Sequence, residues 1–129
     1  MKSKEITIAG KTVTVCYCYA TEIGYKSMAG ENITDYVHHA IESATATPPR
    51  DPDLERTIYF IMAAVTAYKQ YAGDKAEGDT LTDIDIMMNA TPKELATAML
   101  TVLTLRGEFY NVPADEPKPK EGKGKKGKN

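Results

Sequence analysis

Residues 58–71, IYFIMAAVTAYKQY, decide the fold because their apolar side chains recur at helical spacing over a long stretch. The stripe at spacings of three, four and seven residues comprises Ile58, Ile61, Met62, Val65 and Tyr68. Other apolar residues fall between its members and leave little polar surface. A helix that is apolar around its circumference is central in a domain or covered by a partner. The sequence predicts such a helix, capped by Asp51 or Asp53 and running to about Tyr71.

Two further helices are predicted downstream. Residues 91–94, TPKE, form a capping box with proline at the first helical position, which predicts a helix to about Phe109. Its apolar residues include Leu95, Met99 and Leu103. A short helix capped by Thr82 precedes it and holds apolar residues from Ile84 to Met88.

The upstream part predicts a β-hairpin and two helices. Lys4–Ile8 and Thr12–Cys18 alternate polar and apolar residues around the turn Ala9-Gly10-Lys11. A short helix from Thr21 to Met28 follows, and a second begins after the N-cap Thr34 and ends before Pro48-Pro49.

These elements predict a mainly α protein with a short N-terminal β-hairpin, an α+β class. We expect a single domain of four to five helices over residues 1–111. Residues 112–129 are rich in Lys, Gly and Pro, and a segment with so little to bury is predicted to be a disordered tail.

The charge distribution argues against nucleic acid as the main partner. The net charge of −2 divides into −5 for residues 1–111, with 10 basic and 15 acidic residues, and +3 for the tail. Phosphate contacts need a basic face, which the acidic body lacks. The basic tail residues are Lys118, Lys120, Lys123, Lys125, Lys126 and Lys128. We interpret them as solubilising, and the alternative is a small regulatory or nucleic-acid-associated module that uses this tail.

The two cysteines and the hydropathy pattern bear on the compartment. Cys16 and Cys18 have no distant partners for a disulfide framework, and no signal peptide or apolar run of about 20 residues is evident. A cytoplasmic location without membrane contact is therefore expected. On a strand both thiols would point to one face, either as half of a metal site or, as we favour, as small side chains facing the core.

Other polar residues do not form a recognisable reactive set. The neighbours His38 and His39 diverge by roughly 100° on a helix. Asp83 and Asp85 lack the pattern of an EF-hand calcium loop and suit a helix start better. We therefore predict no catalytic, cofactor or metal site, with an enzyme site formed from these four residues in an oligomer as the disfavoured alternative.

Tyrosine and methionine leave two interpretations open. The chain has eight Tyr, six Met and no Trp. Both residue types are enriched at protein interfaces, and both also fill small cores.

The order of elements resembles a known family. The hairpin EITIAGKTVTVCY, the long apolar helix IYFIMAAVTAYKQY, the segment LTDIDIMMNATPKELATAML and a Lys-rich end are similar to tail assembly chaperones of long-tailed, siphovirus-like bacteriophages or prophages. That family often opens with alternating apolar residues around Gly-Lys. The positions that match are Ile6, Ile8, Gly10, Lys11, Val13 and Val15.

The resemblance implies a non-catalytic function in the bacterial host cytoplasm. Such proteins bind the tape-measure protein and help recruit tail-tube subunits, and many are made in two forms by a programmed frameshift. The residues predicted to bind protein are Ile58, Ile61, Met62, Val65, Tyr68, Leu95, Met99 and Leu103. The hairpin would offer an edge for homo-oligomerisation or for contact with the tail tube.

Overall fold

The computed structural model describes residues 1–111 of the 129-residue chain. The elements are β1 (Ser3–Ile8), β2 (Lys11–Cys16), α1 (Tyr19–Ala29), α2 (Ile33–Thr45), α3 (Leu54–Ala72), a 3₁₀ turn (Gly73–Lys75), α4 (Asp83–Asn89) and α5 (Pro92–Asn111). The predicted mainly α fold with an N-terminal hairpin is confirmed. The tail predicted to be disordered, residues 112–129, lies outside the described residues.

The hairpin follows from period-2 alternation and its turn. β1 and β2 pair antiparallel, with Ile8 opposite Lys11 across a two-residue turn. The turn residues Ala9 and Gly10 have φ values of 56° and 75°, which suits the right-handed twist of hairpin strands. Alternation places Ile6, Ile8, Val13 and Val15 on the face that packs against α3 and α5.

Helix α3 is the centre of the protein. It packs against α1, α2, α4, α5 and β2, and eight of its residues are buried. Its apolar circumference is therefore covered largely by the chain itself. The hairpin and the helices share one core cluster, to which α5 contributes Ala98, Val102 and Leu105.

Aromatic side chains fill the space between α1, α2 and α3. The rings of Tyr36 and Phe60 lie 4.5 Å apart, and those of Tyr25 and Tyr36 lie 5.9 Å apart. The hydroxyl oxygens of Tyr36 and Thr57 lie 2.8 Å apart, which satisfies a buried polar group inside the core. These contacts join the three helices into one unit.

The structure corrects the first strand-to-helix boundary. β2 ends at Cys16 instead of reaching Cys18, and α1 begins at Tyr19 instead of Thr21. The Thr21 hydroxyl accepts a hydrogen bond from the Cys18 backbone N–H, at 3.1 Å, and donates one to the Cys16 carbonyl, at 3.2 Å. This local hydrogen bonding starts the helix early, so Cys18 caps α1 and does not share a strand with Cys16.

The start of α2 also differs from the prediction. Asn32 stands at the N-cap position, and Thr34 is already inside the helix. Ile33, the first helical residue, is buried in the core. Burial of this side chain explains why the helix extends past the polar residue that the sequence pattern favoured as its cap.

A candidate protein-binding groove

An open apolar groove of about 470 Å³ lies between the N-terminal turns of α3, helix α4 and the N-terminal half of α5. Its large apolar lining residues are Leu54 and Ile58 from α3, Ile86 and Met87 from α4, and Leu95 and Met99 from α5. Pro52 and Pro92 complete the two ends of the lining. The volume falls within the usual range for binding pockets.

The groove stays open because α4 is short. It spans seven residues and buries one side chain, Ile86. Met87 remains 59% exposed on α4, and Leu54 remains 60% exposed on α3. Ile84 and Met88 are exposed on the same short helix. Clustered exposure of large apolar side chains marks interaction surfaces more often than isolated exposure does.

Three capping interactions fix the walls. The Asp53 carboxylate accepts a hydrogen bond from the Arg56 backbone N–H, at 3.0 Å, and starts α3. The Thr82 hydroxyl accepts one from the Asp85 N–H at the start of α4. At the start of α5, the Thr91 hydroxyl accepts one from the Glu94 N–H, at 3.1 Å. Hydrogen bonds within the chain thus fix the three helix starts that surround the groove.

Acidic side chains surround the α3 side of the groove. Asp51 lines it directly. The Tyr59 hydroxyl donates a hydrogen bond to Glu55, at 3.2 Å. That bond and the charge of Glu55 raise the pKa of Tyr59, and the charge of Asp83 adds to this effect. Lys93, which is exposed and does not line the groove, follows the lining residue Pro92 and precedes Glu94.

The structure divides the eight residues predicted to bind protein. Ile58, Leu95 and Met99 line the groove. Ile61 and Val65 are buried in the chain's own core. Their proposed contact with a partner stays a prediction, and it would require the helices to separate.

The other three predicted residues lie outside the groove. Met62 and Leu103 are partly buried and pack against the core. Tyr68 is half-buried and stacks near Tyr71, with ring centroids 6.2 Å apart. All three are less exposed than Leu54 and Met87, the two groove residues that were not in the predicted set.

Sequence reasoning missed Leu54 and Met87 as members of one site. Leu54 follows the Asp53 cap and precedes the apolar stripe of α3. Met87 was recognised only as an apolar residue of a short helix. The sequence did contain one signal for this site. The predicted short helix after Thr82 has four large apolar residues, more than a helix of that length can bury.

The sequence left open whether the tyrosines fill the core or lie at an interface, and the structure places some in the core and others at the surface. Tyr17, Tyr25 and Tyr36 are buried in the core. Tyr19 and Tyr110 are exposed, and both surround Phe109 with centroids within 5.2 Å of its ring. Core packing and surface exposure therefore both occur, at different positions.

The surroundings of Cys16, His38 and His39 show burial, exposure and a contact at a helix start, respectively. Cys16 is buried, and burial, followed by the neighbouring Cys18 thiol, raises its pKa to about 12, which keeps the thiol protonated and weakens it as a metal ligand. His38 is exposed. His39 accepts a hydrogen bond at Nε2 from the Asp53 backbone N–H, at 2.8 Å, so it supports the start of α3.

The carboxylates considered for calcium bind the chain itself. Asp85 accepts a hydrogen bond from the Thr82 N–H, at 2.9 Å, and lies 3.4 Å from the Lys11 ammonium. Asp83 accepts one from the Ile84 N–H, at 2.9 Å. Over residues 1–111, no group of three or more His, Cys, Asp or Glu side chains is placed to hold a metal ion.

The fold and the groove define a class: a small α+β protein with an open apolar groove bordered by acidic residues. Comparisons with protein-family models, curated proteins and solved structures returned no significant match. No helix in the described part of the chain is long and apolar enough to cross a membrane. The Lys-rich tail, invoked for nucleic-acid binding, lies outside the described residues.

Proposed function

We propose that this protein is a non-catalytic tail assembly chaperone of a long-tailed phage or prophage. In this proposal the groove between α3, α4 and α5 binds apolar helical segments of the tape-measure protein, and the complex helps recruit tail-tube subunits. The observation that carries the proposal is the exposure of Leu54 and Met87 over a concave apolar surface.

The groove has the physical properties that holding an apolar segment requires. Burying apolar surface contributes about 25 cal/mol per Å² and needs no directional contact. Methionines at the groove, Met87 and Met99, have flexible side chains that adapt to different apolar partners. Such a surface suits a chaperone that must bind many related segments of one long helical protein.

The similarity of the hairpin pattern and the order of elements to tail assembly chaperones supports the choice of partner. The groove itself supports a broader class, the binding of a helical peptide. The tape-measure protein is the narrower choice within that class.

The outer edge of β1 supports the proposed second contact, with tail-tube subunits or another copy. The edge of β2 is occupied, because the Asp79 N–H donates to the Thr12 carbonyl at 3.0 Å. No equivalent segment among residues 1–111 hydrogen-bonds along the outer edge of β1, where Ser3, Glu5 and Thr7 are exposed. A free strand edge can pair with a strand from another chain.

Co-expression with the long helical protein encoded nearby, followed by a pull-down on this chain, tests the proposal. We expect the unchanged chain to retain the partner in solution. The double change Leu54→Gln and Met87→Gln should reduce the recovered partner at least about tenfold, because binding sites concentrate their energy in a few apolar residues.

The matched control is Ile23→Gln on α1, because Ile23 is 71% exposed and does not line the groove. This variant should recover as much partner as the unchanged chain. Equal recovery by the groove variant and the control would contradict the groove as the binding site. Failure of the unchanged chain to retain a tape-measure protein would contradict the chaperone function.

A further inference from the structure

The groove has an uneven distribution of charge around its apolar lining. On the α3 side, Asp51 lines the groove, and the exposed carboxylates Asp53 and Glu55 flank the lining residue Leu54 in sequence. On the α5 side, the exposed base is Lys93. The charge at the groove therefore lies on the α3 side, because Asp51 is the one charged lining residue and Lys93 stands beside the acid Glu94.

Among residues 1–111, the negative charge on the α3 side is largely without ion-pair partners. The ion pairs among residues 1–111 are Lys2–Glu108, Lys11–Asp85 and Arg56–Glu31. None of them involves Asp51 or Glu55. Asp53 accepts a backbone hydrogen bond. Two bases are adjacent in sequence to this group, Arg50 beside Asp51 and Arg56 beside Glu55, and Arg56 pairs with Glu31.

The size of the groove favours a single helix over a second globular surface. A volume of about 470 Å³ has room for a few large apolar side chains. An amphipathic helix projects such a set from positions i, i+3 or i+4, and i+7. A stable interface between two folded copies buries about 800 Å² on each partner and needs a broader contact.

From the groove and its charges we propose that the bound segment is an amphipathic helix with Lys or Arg along the flank that faces α3. Its opposite flank, facing the start of α5, needs no charge, because Lys93 and Glu94 there offset one another. This inference rests on the proposed function, because it describes the segment that the groove would hold. Complementary charge of this kind fixes the orientation of the helix and increases its rate of association.

Two synthetic peptides with one apolar stripe test the inference on the full chain. One carries Lys and the other Glu at the flank positions on one side, and all other residues are identical. At low salt we expect the Lys peptide to bind about tenfold more tightly, since two or three exposed charge pairs contribute up to about fivefold each. The difference should shrink at about 1 M salt, where the screening length is about 3 Å.

Substitutions then locate the charge. The double change Asp51→Asn and Glu55→Gln should remove most of the preference for the Lys peptide. Glu42→Gln is the matched control, because Glu42 is an exposed acid on α2 that does not line the groove. It should leave the preference unchanged, although it removes one negative charge from the protein.

The outcomes separate the inference from the proposed function. Equal binding of both peptides, abolished by Leu54→Gln and Met87→Gln, would overturn the charged flank and support the groove as a docking site. Binding of neither peptide would overturn the docking site and the inference together. Self-association of the chain that Met87→Gln abolishes would overturn the inference by making a second copy the occupant.

Discussion

Ala9 and Gly78 show how single backbone positions set the local stability of the hairpin. Ala9 has a φ of 56°, a region that costs a residue with a Cβ about 1–2 kcal/mol. Its N–H donates to the Glu94 carboxylate at 3.2 Å, which helps to hold this conformation. Gly78 has a φ of 103°, and an added Cβ there would lie 3.0 Å from the Thr12 carbonyl oxygen.

Opposite substitutions at these positions should have opposite effects. We expect Ala9→Gly to raise the free energy of unfolding by about 0.5–1 kcal/mol, because glycine adopts positive φ without strain. We expect Gly78→Ala to lower it by about 1–3 kcal/mol through backbone strain and the contact with Thr12. Urea unfolding followed by circular dichroism measures both. A stabilising effect of Gly78→Ala would contradict the described path of the loop along β2.

At the scale of elements, Glu94 joins the start of α5 to the hairpin. Its carboxylate accepts hydrogen bonds from the Thr91 N–H, at 3.0 Å, and from the Ala9 N–H, at 3.2 Å. The bond from Thr91, followed by the bond from Ala9, lowers the pKa of Glu94 below 4.5. The folded state therefore binds this proton less tightly than the unfolded state, and the stabilising effect is complete above pH 4.5.

This linkage predicts a loss of stability in acid. As the pH falls from 4.5 through the lowered pKa of Glu94, the free energy of unfolding should decrease. The variant Glu94→Gln keeps an acceptor for the capping box but does not titrate, so its stability should fall less over the same interval. Urea unfolding at a series of pH values gives both curves. Glu42→Gln is the control, and parallel curves for Glu94→Gln and the unchanged chain would contradict this role.

Local chemistry made most elements predictable, because each had a cause within a few residues. The capping box at residues 91–94 appears in the structure as the sequence indicated. Of the two caps predicted for α3, Asp51 and Asp53, the structure uses Asp53. The hairpin turn is at the predicted place but comprises only Ala9 and Gly10, since Lys11 already belongs to β2. The errors occurred at two helix starts, one set by tertiary burial and the other by a local hydrogen bond. Ile33 extends α2 because it packs into the core, and the Thr21 hydroxyl draws Cys18 into the cap of α1.

At the scale of the whole molecule, the apolar pattern could not show which residues of α3 line the groove. The same helical stripe of α3 contains Ile61, with no exposed surface, and Ile58, which lines the groove. Both are buried, and which of them borders the groove depends on where α5 and the short α4 pack. Spacing along one helix contains no such information. The groove is a property of three helices, so only its members Ile58, Leu95 and Met99 were included in the predicted set.

This distinction predicts opposite effects for the two groups of residues. Ile61→Ala should lower the free energy of unfolding by about 2–5 kcal/mol, because it leaves a cavity in the core beside α3. The folded fraction should bind an apolar helical partner with unchanged affinity. Met87→Gln should change stability by less than about 0.5 kcal/mol, since the side chain is largely exposed, and it should weaken binding. Unfolding curves and titration calorimetry on the same samples give both quantities, and weakened binding by folded Ile61→Ala would show that the core stripe itself contacts the partner.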